Sequence, residues 1–162
     1  MRALIAYLLL AMIPLSANAS IDSKKIVGET EFIQVESATL PFLARIDTGA
    51  NSTSIHAFDI EVDGDEHTTH MRDNVGKTIT FTTVNELGEE SRVSSVIEKV
   101  SIIRNAQGEE RRYSIMMDLT WDNETRPVMV NLRDRSKMTY KLLIGRNWLR
   151  GNYLVDVDLA AH

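Results

Sequence analysis

The sequence contains no cysteine, and this absence excludes several kinds of protein at once. Its 162 residues also include only 8 glycines, 3 prolines and 6% aromatic residues. Without cysteine there is no disulfide framework, no thiol nucleophile and no cysteine-ligated zinc. The low glycine and proline content excludes collagen-like and low-complexity chains. The stability of the protein must therefore come from an ordinary buried core.

The charged residues argue against a further class of partner. The net charge is −5 at pH 7, whereas proteins that bind nucleic acid usually carry an excess of basic residues. The content of 43% hydrophobic and 25% charged residues is typical of a folded soluble domain. We therefore expect one compact domain and no nucleic-acid partner.

A long apolar run is found at the start of the chain. Arg2 gives it a positive beginning, residues 3–15 are apolar, and residues 17–19 have the small-x-small form that signal peptidase requires. This pattern predicts an exported protein with a signal peptide over residues 1–19 and a folded domain over residues 20–162. The run is shorter than the roughly 20 residues that cross a bilayer, so we expect no stable membrane span after cleavage. An uncleaved anchor is the alternative, because the uncharged stretch continues past residue 19.

The rest of the chain is typical of a mostly β protein. Its apolar residues alternate or form short runs rich in β-branched and aromatic residues, separated by turn signals. Hairpin turns are predicted at residues 85–89 and 105–108, an exposed loop at residues 63–73, and one short helix from Arg146 to Leu149. A β-barrel or sandwich of about eight or nine strands fits these spacings. The predicted strands are residues 25–35, 40–46, 53–62, 77–84, 92–104, 111–121, 127–132, 141–144 and 153–157.

The strongest local signal for chemistry surrounds Asp47. This residue follows an apolar strand and precedes the small residues Thr48, Gly49 and Ala50. Small residues let another backbone approach closely, and a carboxylate held at the end of a strand can act as a general base. The alternative is that Asp47 and Thr48 form an Asx-type turn with neighbouring amides. Local chemistry leaves both interpretations open.

Three segments of the chain together resemble the pattern of retropepsin-like aspartic peptidases. The segments are Asp47-Thr48-Gly49-Ala50, then Arg135-x-x-Met138, then Leu143-Ile144-Gly145-Arg146. The combination is similar to a bacterial group of such domains that is associated with glutamate ligases and has also been labelled "ATP-dependent zinc protease". The resemblance covers most of residues 26–157.

This resemblance implies a closed, mostly β barrel of the acid-protease type with one short C-terminal helix. Such enzymes need two facing aspartates, and this chain has one Asp-Thr-Gly, so the implied active form is a homodimer with Asp47 from each chain. The two carboxyl groups share a proton and hold a water molecule. The implied function is an aspartic endopeptidase acting on peptides or proteins in the bacterial periplasm or outside the cell, with no metal and no cofactor.

The resemblance also implies roles for the residues of the Asp-Thr-Gly loop. Asp47 would be the catalytic acid and base, and Thr48 would link the two loops near the dimer axis. Gly49 and Ala50 would present backbone to the substrate.

Two further residues would support this loop from below. Gly145 ends an apolar segment that packs beneath the loop, and Arg146 matches an arginine that forms an ion pair in retropepsins. The residue after Ala50 is Asn51, where viral enzymes usually carry an acid, so a structural role for Arg146 is expected. The viral enzymes are shorter, so matching does not locate the hairpin that covers the cleft, and residues 77–92 are only a guess.

Other functions stay open on the residues alone. The same fold without catalysis would be a module that binds a peptide or an envelope ligand in its groove. A metallohydrolase would use His56, His67 and His70 as zinc ligands, but their spacing is not His-Glu-x-x-His, and a solvated loop is the simpler interpretation. Ser54 and His56 share one face of a strand, which fits a hydrolase pair or a half-exposed strand. No Gly-x-x-x-x-Gly-Lys-Ser/Thr segment supports the ATP label.

Overall fold

The computed structural model describes residues 24–105 and 108–159. These residues form twelve β-strands and one α-helix, with three short 3-10 helices in the connections. The helix α1 is Arg146–Leu149, and the 3-10 helices are Glu36–Ala38, Asp65–His67 and Met71–Asn74. The strands are β1 (Lys25–Val27), β2 (Thr30–Val35), β3 (Leu40–Ile46), β4 (Thr53–His56), β5 (Phe58–Val62), β6 (Thr78–Val84), β7 (Glu90–Val96), β8 (Lys99–Asn105), β9 (Gly108–Trp121), β10 (Glu124–Arg133), β11 (Leu142–Ile144) and β12 (Tyr153–Val155).

Six strands pair in a ring that forms the body of the domain. β10, β4, β11, β3, β2 and β9 are neighbours in that order, and β9 also pairs with β10. β8 extends this sheet as the antiparallel partner of β9. β3 and β11 run parallel to each other. The segments that follow them, which begin at Asp47 and Gly145, therefore emerge at the same edge of the sheet.

A smaller antiparallel sheet joins this ring through the common core. It has the order β5-β6-β7, and its buried residues Ile79, Phe81 and Val93 belong to the same hydrophobic cluster as the ring. Buried and half-buried residues alternate along most of β6, because successive side chains of a strand point to opposite faces. A separate parallel pair is formed by β1 and β12.

Aromatic packing fixes the helix that follows Gly145. Trp148 is fully buried in the core and stacks on Tyr153 with the ring centroids 4.0 Å apart. Burial of a large apolar side chain contributes about 1.5–3 kcal/mol. The four-residue helix is too short to be stable alone, so it depends on this packing.

The prediction of a mostly β domain with one short helix is confirmed. Every predicted strand overlaps an observed one, and the helix covers the predicted residues. The predicted hairpin turns join β6 to β7 and β8 to β9. In the described ranges, no helix combines the length and the apolar character needed to cross a membrane. The predicted signal peptide, residues 1–19, lies outside the described residues and stays a prediction.

Three predicted strands are each divided in two, at Gly28, at Ala57 and at Ile97. The third division shows the reason most clearly, because the chain changes partner there. The N–H of Ile97 donates to the carbonyl of Lys77 at 3.0 Å, and the N–H of Glu98 donates to the carbonyl of Ser114 at 2.9 Å. Hydrophobic alternation reports which face of a strand is buried, but it does not report a change of partner strand.

Candidate active site

Asp47 lies directly after β3, beside the end of β11. Its N–H donates to the carbonyl of Ile144 at 2.9 Å. Its Oδ1 atom accepts the N–H groups of Gly49 at 2.8 Å and Ala50 at 3.2 Å, which is an Asx turn. Its Oδ2 atom has no hydrogen-bond partner among the residues that the structure describes. The turn therefore orients the carboxylate and leaves one oxygen available, so the two interpretations of this motif are compatible.

Gly145 lies directly beneath this loop. A Cβ atom added to Gly145 would stand 2.5 Å from the carbonyl carbon of Ser52 and 2.6 Å from its oxygen. Real side chains do not reach such distances, so only glycine fits here. The N–H of Gly145 also donates to the Oγ1 atom of Thr53 at 3.2 Å. The backbone of the Asp47 loop and the backbone before α1 are thus in direct contact.

Arg146 ties the loop to the helix. Its N–H donates to the carbonyl of Ala50 at 2.9 Å, and its Nη1 atom donates to the carbonyl of Thr48 at 3.1 Å. Its Nη2 atom donates to the side-chain oxygen of Asn51. Asn51 therefore takes the position of the acid expected from viral enzymes and accepts as a neutral group. These contacts give Arg146 a supporting position under the loop.

A second brace holds the chain just after the loop. The side-chain oxygen of Asn147 accepts both the N–H of Thr53 at 2.8 Å and its hydroxyl at 2.9 Å. The amide nitrogen of Asn147 donates to the carbonyl of Met129 at 2.7 Å. Asn131, almost fully buried, donates to the carbonyl of Thr53 at 2.7 Å and to the hydroxyl of Ser52 at 3.2 Å. The loop is therefore braced from α1 and from β10 as well.

An open cleft extends from this loop along β8, β9 and β10. Its volume is about 870 Å³, which is large enough for a drug-sized ligand or a short extended peptide. Asp47, Gly49 and Ala50 line it. Thr48 is exposed and borders a second, smaller depression of about 400 Å³ together with Val155 and Val157.

The lining of the cleft has an excess of basic side chains although the whole chain is acidic. Among the described residues that line it, Asp47 is the one carboxylate, whereas five side chains are basic: Lys99, Arg104, Arg112, Arg133 and Arg135. Glu110 forms ion pairs with Arg112 at 2.5 Å and Arg133 at 3.8 Å, and Glu109 forms one with Arg104 at 3.3 Å, which leaves an excess of positive charge. A concave surface with one sign of charge concentrates ligands of the opposite sign. The electrostatics of this cleft therefore favour an anionic ligand.

Arg135 is a buried cation at the edge of the cleft. Burial, with the like charges of Arg133 and Arg112, lowers the pKa of Arg135 below its ordinary value. The carboxylates of Asp47 and Glu86 act in the opposite direction on this pKa. Asp47 and Arg135 both line the same cleft.

The hairpin suggested over the cleft, residues 77–92, lies elsewhere. Its turn is attached to the ring, because the carboxylate of Glu86 accepts the N–H of Leu43 at 2.9 Å and that of Lys141 at 2.7 Å. In the part of the chain that the structure describes, no residue of 77–92 lines the cleft. The cleft is instead lined by β8, which pairs with β9 as a hairpin.

The chain matches one known protein family over most of its length. The family model described as RimB-like, retropepsin-like aspartic endopeptidase RimB, matches residues 26–161. The chain belongs to the RimB-like family. The resemblance noted in the sequence is thereby confirmed, including its association with glutamate ligases, since the curated relatives carry that name.

Curated relatives of this RimB-like domain are larger proteins. A probable alpha-L-glutamate ligase of Parasynechococcus marenigrum is 34% identical over 141 residues, which cover 83% of this chain and 28% of that protein. A probable alpha-L-glutamate ligase of Desulfotalea psychrophila is 29% identical over 144 residues, which cover 85% of this chain and 29% of that protein. The chain thus spans less than a third of the length of these relatives.

A solved structure shares the fold. The crystal structure of a protein of unknown function from Legionella pneumophila has a TM-score of 0.67 and 24% sequence identity, and the match covers 86% of this chain and 98% of that one. At this identity the comparison supports the fold of the RimB-like domain.

The RimB-like domain brings most of the sequence-derived site residues together. Asp47, Gly49 and Ala50 line the cleft, while Gly145 and Arg146 lie beneath their loop. No role was predicted for Asn131, Asn147 or Arg135. A buried polar role for Asn131 could have been predicted, since it is a polar residue inside an apolar predicted strand. Arg135 was part of the resemblance, but nothing in the sequence indicated that its side chain is buried.

The histidines are spread over different parts of the domain. His56 is buried on β4, and His70 is exposed before a 3-10 helix. The side chain of His67 lies outside the described part of the chain. Within that part, no group of three acidic or histidine side chains is arranged to hold a metal ion.

Proposed function

We propose that the chain is an exported aspartic endopeptidase in which the Asp47 residues of two copies form one active site. The single observation that carries the proposal is the placement of Asp47. An Asx turn orients this carboxylate at the mouth of an open cleft and leaves its second oxygen without a hydrogen-bond partner in residues 24–105 and 108–159. The membership of the RimB-like family supports the class of reaction.

The proposed chemistry needs one proton shared between the two carboxyl groups. The ionised Asp47 takes a proton from a water molecule, and the resulting hydroxide attacks the peptide carbonyl carbon, while the protonated Asp47 of the other copy donates a hydrogen bond to the carbonyl oxygen. The tetrahedral intermediate then collapses. The C–N bond breaks, the leaving amine takes a proton from the pair, and the pair again holds one proton.

An apolar surface beside the loop supports the proposed dimer. Ile26 and Leu154 are register partners on β1 and β12, and their side chains are 53% and 54% exposed. Val157, 70% exposed, lines the depression that Thr48 and Asp47 border. Exposed apolar residues grouped in this way are typical of protein interfaces. A second copy that covers this surface would bring a second Asp47 close to the first.

The charge of the cleft supports an acidic segment as the substrate. Asp47 would work among five basic side chains, and acidic residues that flank the cleaved bond would be attracted to them. Relatives of the chain are named probable alpha-L-glutamate ligase, a name that points to glutamate chemistry. We therefore propose glutamate-containing peptides as the first substrates to test. The signal peptide predicted for residues 1–19 supports a location in the periplasm or outside the cell.

Digestion of a peptide library tests the proposal. Residues 20–162 are incubated with the library with and without a chelator, and the products are read by mass spectrometry beside those of the Asp47→Asn variant. We expect cleavage by the wild-type chain alone, with both proteins equally folded by circular dichroism. Cleavage by both proteins would assign the activity to another site. Peptide binding without cleavage would favour the non-catalytic binding module, and activity lost only with the chelator would favour a metallohydrolase.

A further inference from the structure

The loop between β10 and β11, residues 134–141, is held unusually firmly for a surface connection. The ammonium group of Lys141 donates to the carbonyls of Ser136 at 2.8 Å and Met138 at 2.9 Å. The N–H of Met138 donates to the carbonyl of Arg135 at 2.9 Å. The N–H of Ser136 donates to the carboxylate of Asp134 at 2.8 Å. These bonds give the loop one defined shape, which is what a binding residue on a loop requires.

This shape buries Arg135 and directs its charge to the cleft. The Arg135 side chain is 6% exposed, and its Nε atom donates to the carbonyl of Tyr140 at 3.1 Å. Arg135 lines the cleft that begins at Asp47. Within residues 24–105 and 108–159, the two Nη atoms of Arg135 have no hydrogen-bond acceptor and no carboxylate partner. Neither Nη atom is fully enclosed by the protein, so both reach the solvent of the open cleft, where a ligand can bind them.

His56 holds the loop from the interior of the domain. It is 4% exposed on β4, and its Nδ1 atom accepts the N–H of Arg135 at 2.9 Å. Its own N–H donates to the carbonyl of Lys141 at 2.7 Å, so one residue contacts both ends of the loop. The ring stacks on Phe58 with the centroids 5.3 Å apart. Because Nδ1 accepts a hydrogen bond, the ring must be unprotonated at this atom for the contact to exist.

We propose that Arg135 is a substrate-binding residue of the cleft beside Asp47, and that His56 is the residue that positions it. The inference rests on the proposed function for the identity of the ligand. The Nε atom supplies the structural contact to Tyr140, and the two Nη atoms remain to bind a carboxylate or carbonyl of the substrate. The neighbouring Arg112 and Arg133 share the carboxylate of Glu110, so the position keeps an excess of positive charge that favours an acidic residue.

Steady-state kinetics on the most rapidly cleaved library peptide tests both parts. Arg135→Met keeps the length of the side chain and removes the charge, and we expect KM to rise about tenfold or more with a much smaller change in kcat. His56→Ala removes the acceptor and is expected to raise KM in the same way. His56→Asn keeps an acceptor oxygen near the position of Nδ1 and is expected to restore a KM near the wild-type value. Combining His56→Ala with Arg135→Met is expected to add little.

The matched control removes a cation elsewhere. Arg72 is exposed on a 3-10 helix and lies outside the cleft, so Arg72→Met is expected to leave KM unchanged. Thermal unfolding of each variant shows whether it is folded. An unchanged KM in folded Arg135→Met would overturn the role of Arg135. Equal KM values for folded His56→Ala and the wild type would overturn the role of His56.

A binding experiment separates this inference from the proposed function. A fluorescent oligoglutamate peptide is titrated by anisotropy into the Asp47→Asn chain with and without Arg135→Met. Weaker binding on loss of Arg135 supports the inference, even if the wild-type chain cleaves nothing and the endopeptidase proposal fails. Equal binding, or no binding by either chain, would contradict Arg135 as the site for an acidic substrate residue.

Discussion

The close approach of two backbones makes Gly145 the least replaceable residue beneath the loop. In Gly145→Ala the new methyl group would meet the backbone of Ser52 at 2.5 Å, and backbone atoms cannot turn aside as a side chain can. We expect a loss of about 1–3 kcal/mol of unfolding free energy, because overpacking forces such shifts. We also expect reduced cleavage, since a displaced Ser52 backbone would move the Asp47 loop. Urea unfolding measures the first effect, and wild-type stability in this variant would contradict the described contact.

His56 gives the stability of the domain a pH dependence. Burial lowers the pKa of His56 from its ordinary value of 6.5, while the carbonyl of Arg133 and the carboxylate of Asp134 act against this shift, and the charges of Lys141 and Arg135 add to it. The folded chain therefore binds this proton less tightly than the unfolded chain. The stabilisation is complete above the ordinary pKa and is lost as the pH falls below about 6.5 towards the lowered pKa.

We expect His56→Asn to lose less stability than the wild type between about pH 7.5 and about pH 5, since asparagine does not titrate. Urea unfolding at both pH values measures the difference. The Arg72→Met variant serves as a control and should follow the wild type. Parallel losses in His56→Asn and the wild type would show that His56 does not contribute to the acid sensitivity.

A residue of the site was predictable where a reactive side chain stands next to a recognisable local pattern in the sequence. Asp47 was found because a small-residue turn follows an apolar strand. The brace between Thr53 and Asn147 was not found, because its partners are far apart in the sequence and either side chain alone is an ordinary polar residue. The sequence showed that Asn51 stands where viral enzymes usually carry an acid. In the structure Arg146 donates a hydrogen bond to this neutral side chain in place of an ion pair.

Strands and turns were largely predictable because hydrophobic alternation and turn residues are local signals. Their partners were not, since pairing depends on residues far along the chain. This limit explains why three predicted strands are divided. It also explains why residues 77–92 were suggested as the hairpin over the cleft although they do not line it. The two hairpins, β6–β7 and β8–β9, have similar sequence signals, and only the arrangement of the sheets shows that β8 borders the cleft.

A matched pair of substitutions tests which hairpin borders the substrate. Ile102 on β8 lines the cleft and is 37% exposed, whereas Leu87 at the β6–β7 turn is 80% exposed and lies away from it. We expect Ile102→Ser to raise KM by about threefold to tenfold through the loss of apolar contact. Leu87→Ser is expected to leave KM unchanged. A raised KM in Leu87→Ser with an unchanged KM in Ile102→Ser would indicate that residues 77–92 cover the cleft.

The whole molecule combines an acidic surface with a cationic cleft and an apolar face beside the Asp47 loop. Composition reports the net charge but not its distribution, so neither the basic cleft nor the apolar face was predictable. The proposed second copy would supply the second aspartate that the single Asp-Thr-Gly of the sequence lacks. In a homodimer with two-fold symmetry, the same face of each chain forms the contact, which agrees with one apolar face next to the loop.

Mixing wild-type chains with Asp47→Asn chains tests the shared site most directly. Total protein is kept constant while the fraction of wild type is varied, and the cleavage rate of the best peptide is measured after the subunits have exchanged. If each active site needs two Asp47 residues, activity follows the square of the wild-type fraction, so an equal mixture retains about one quarter of the activity. A linear dependence, with about half of the activity in the equal mixture, would contradict the account, because each chain would then act with its own Asp47 alone.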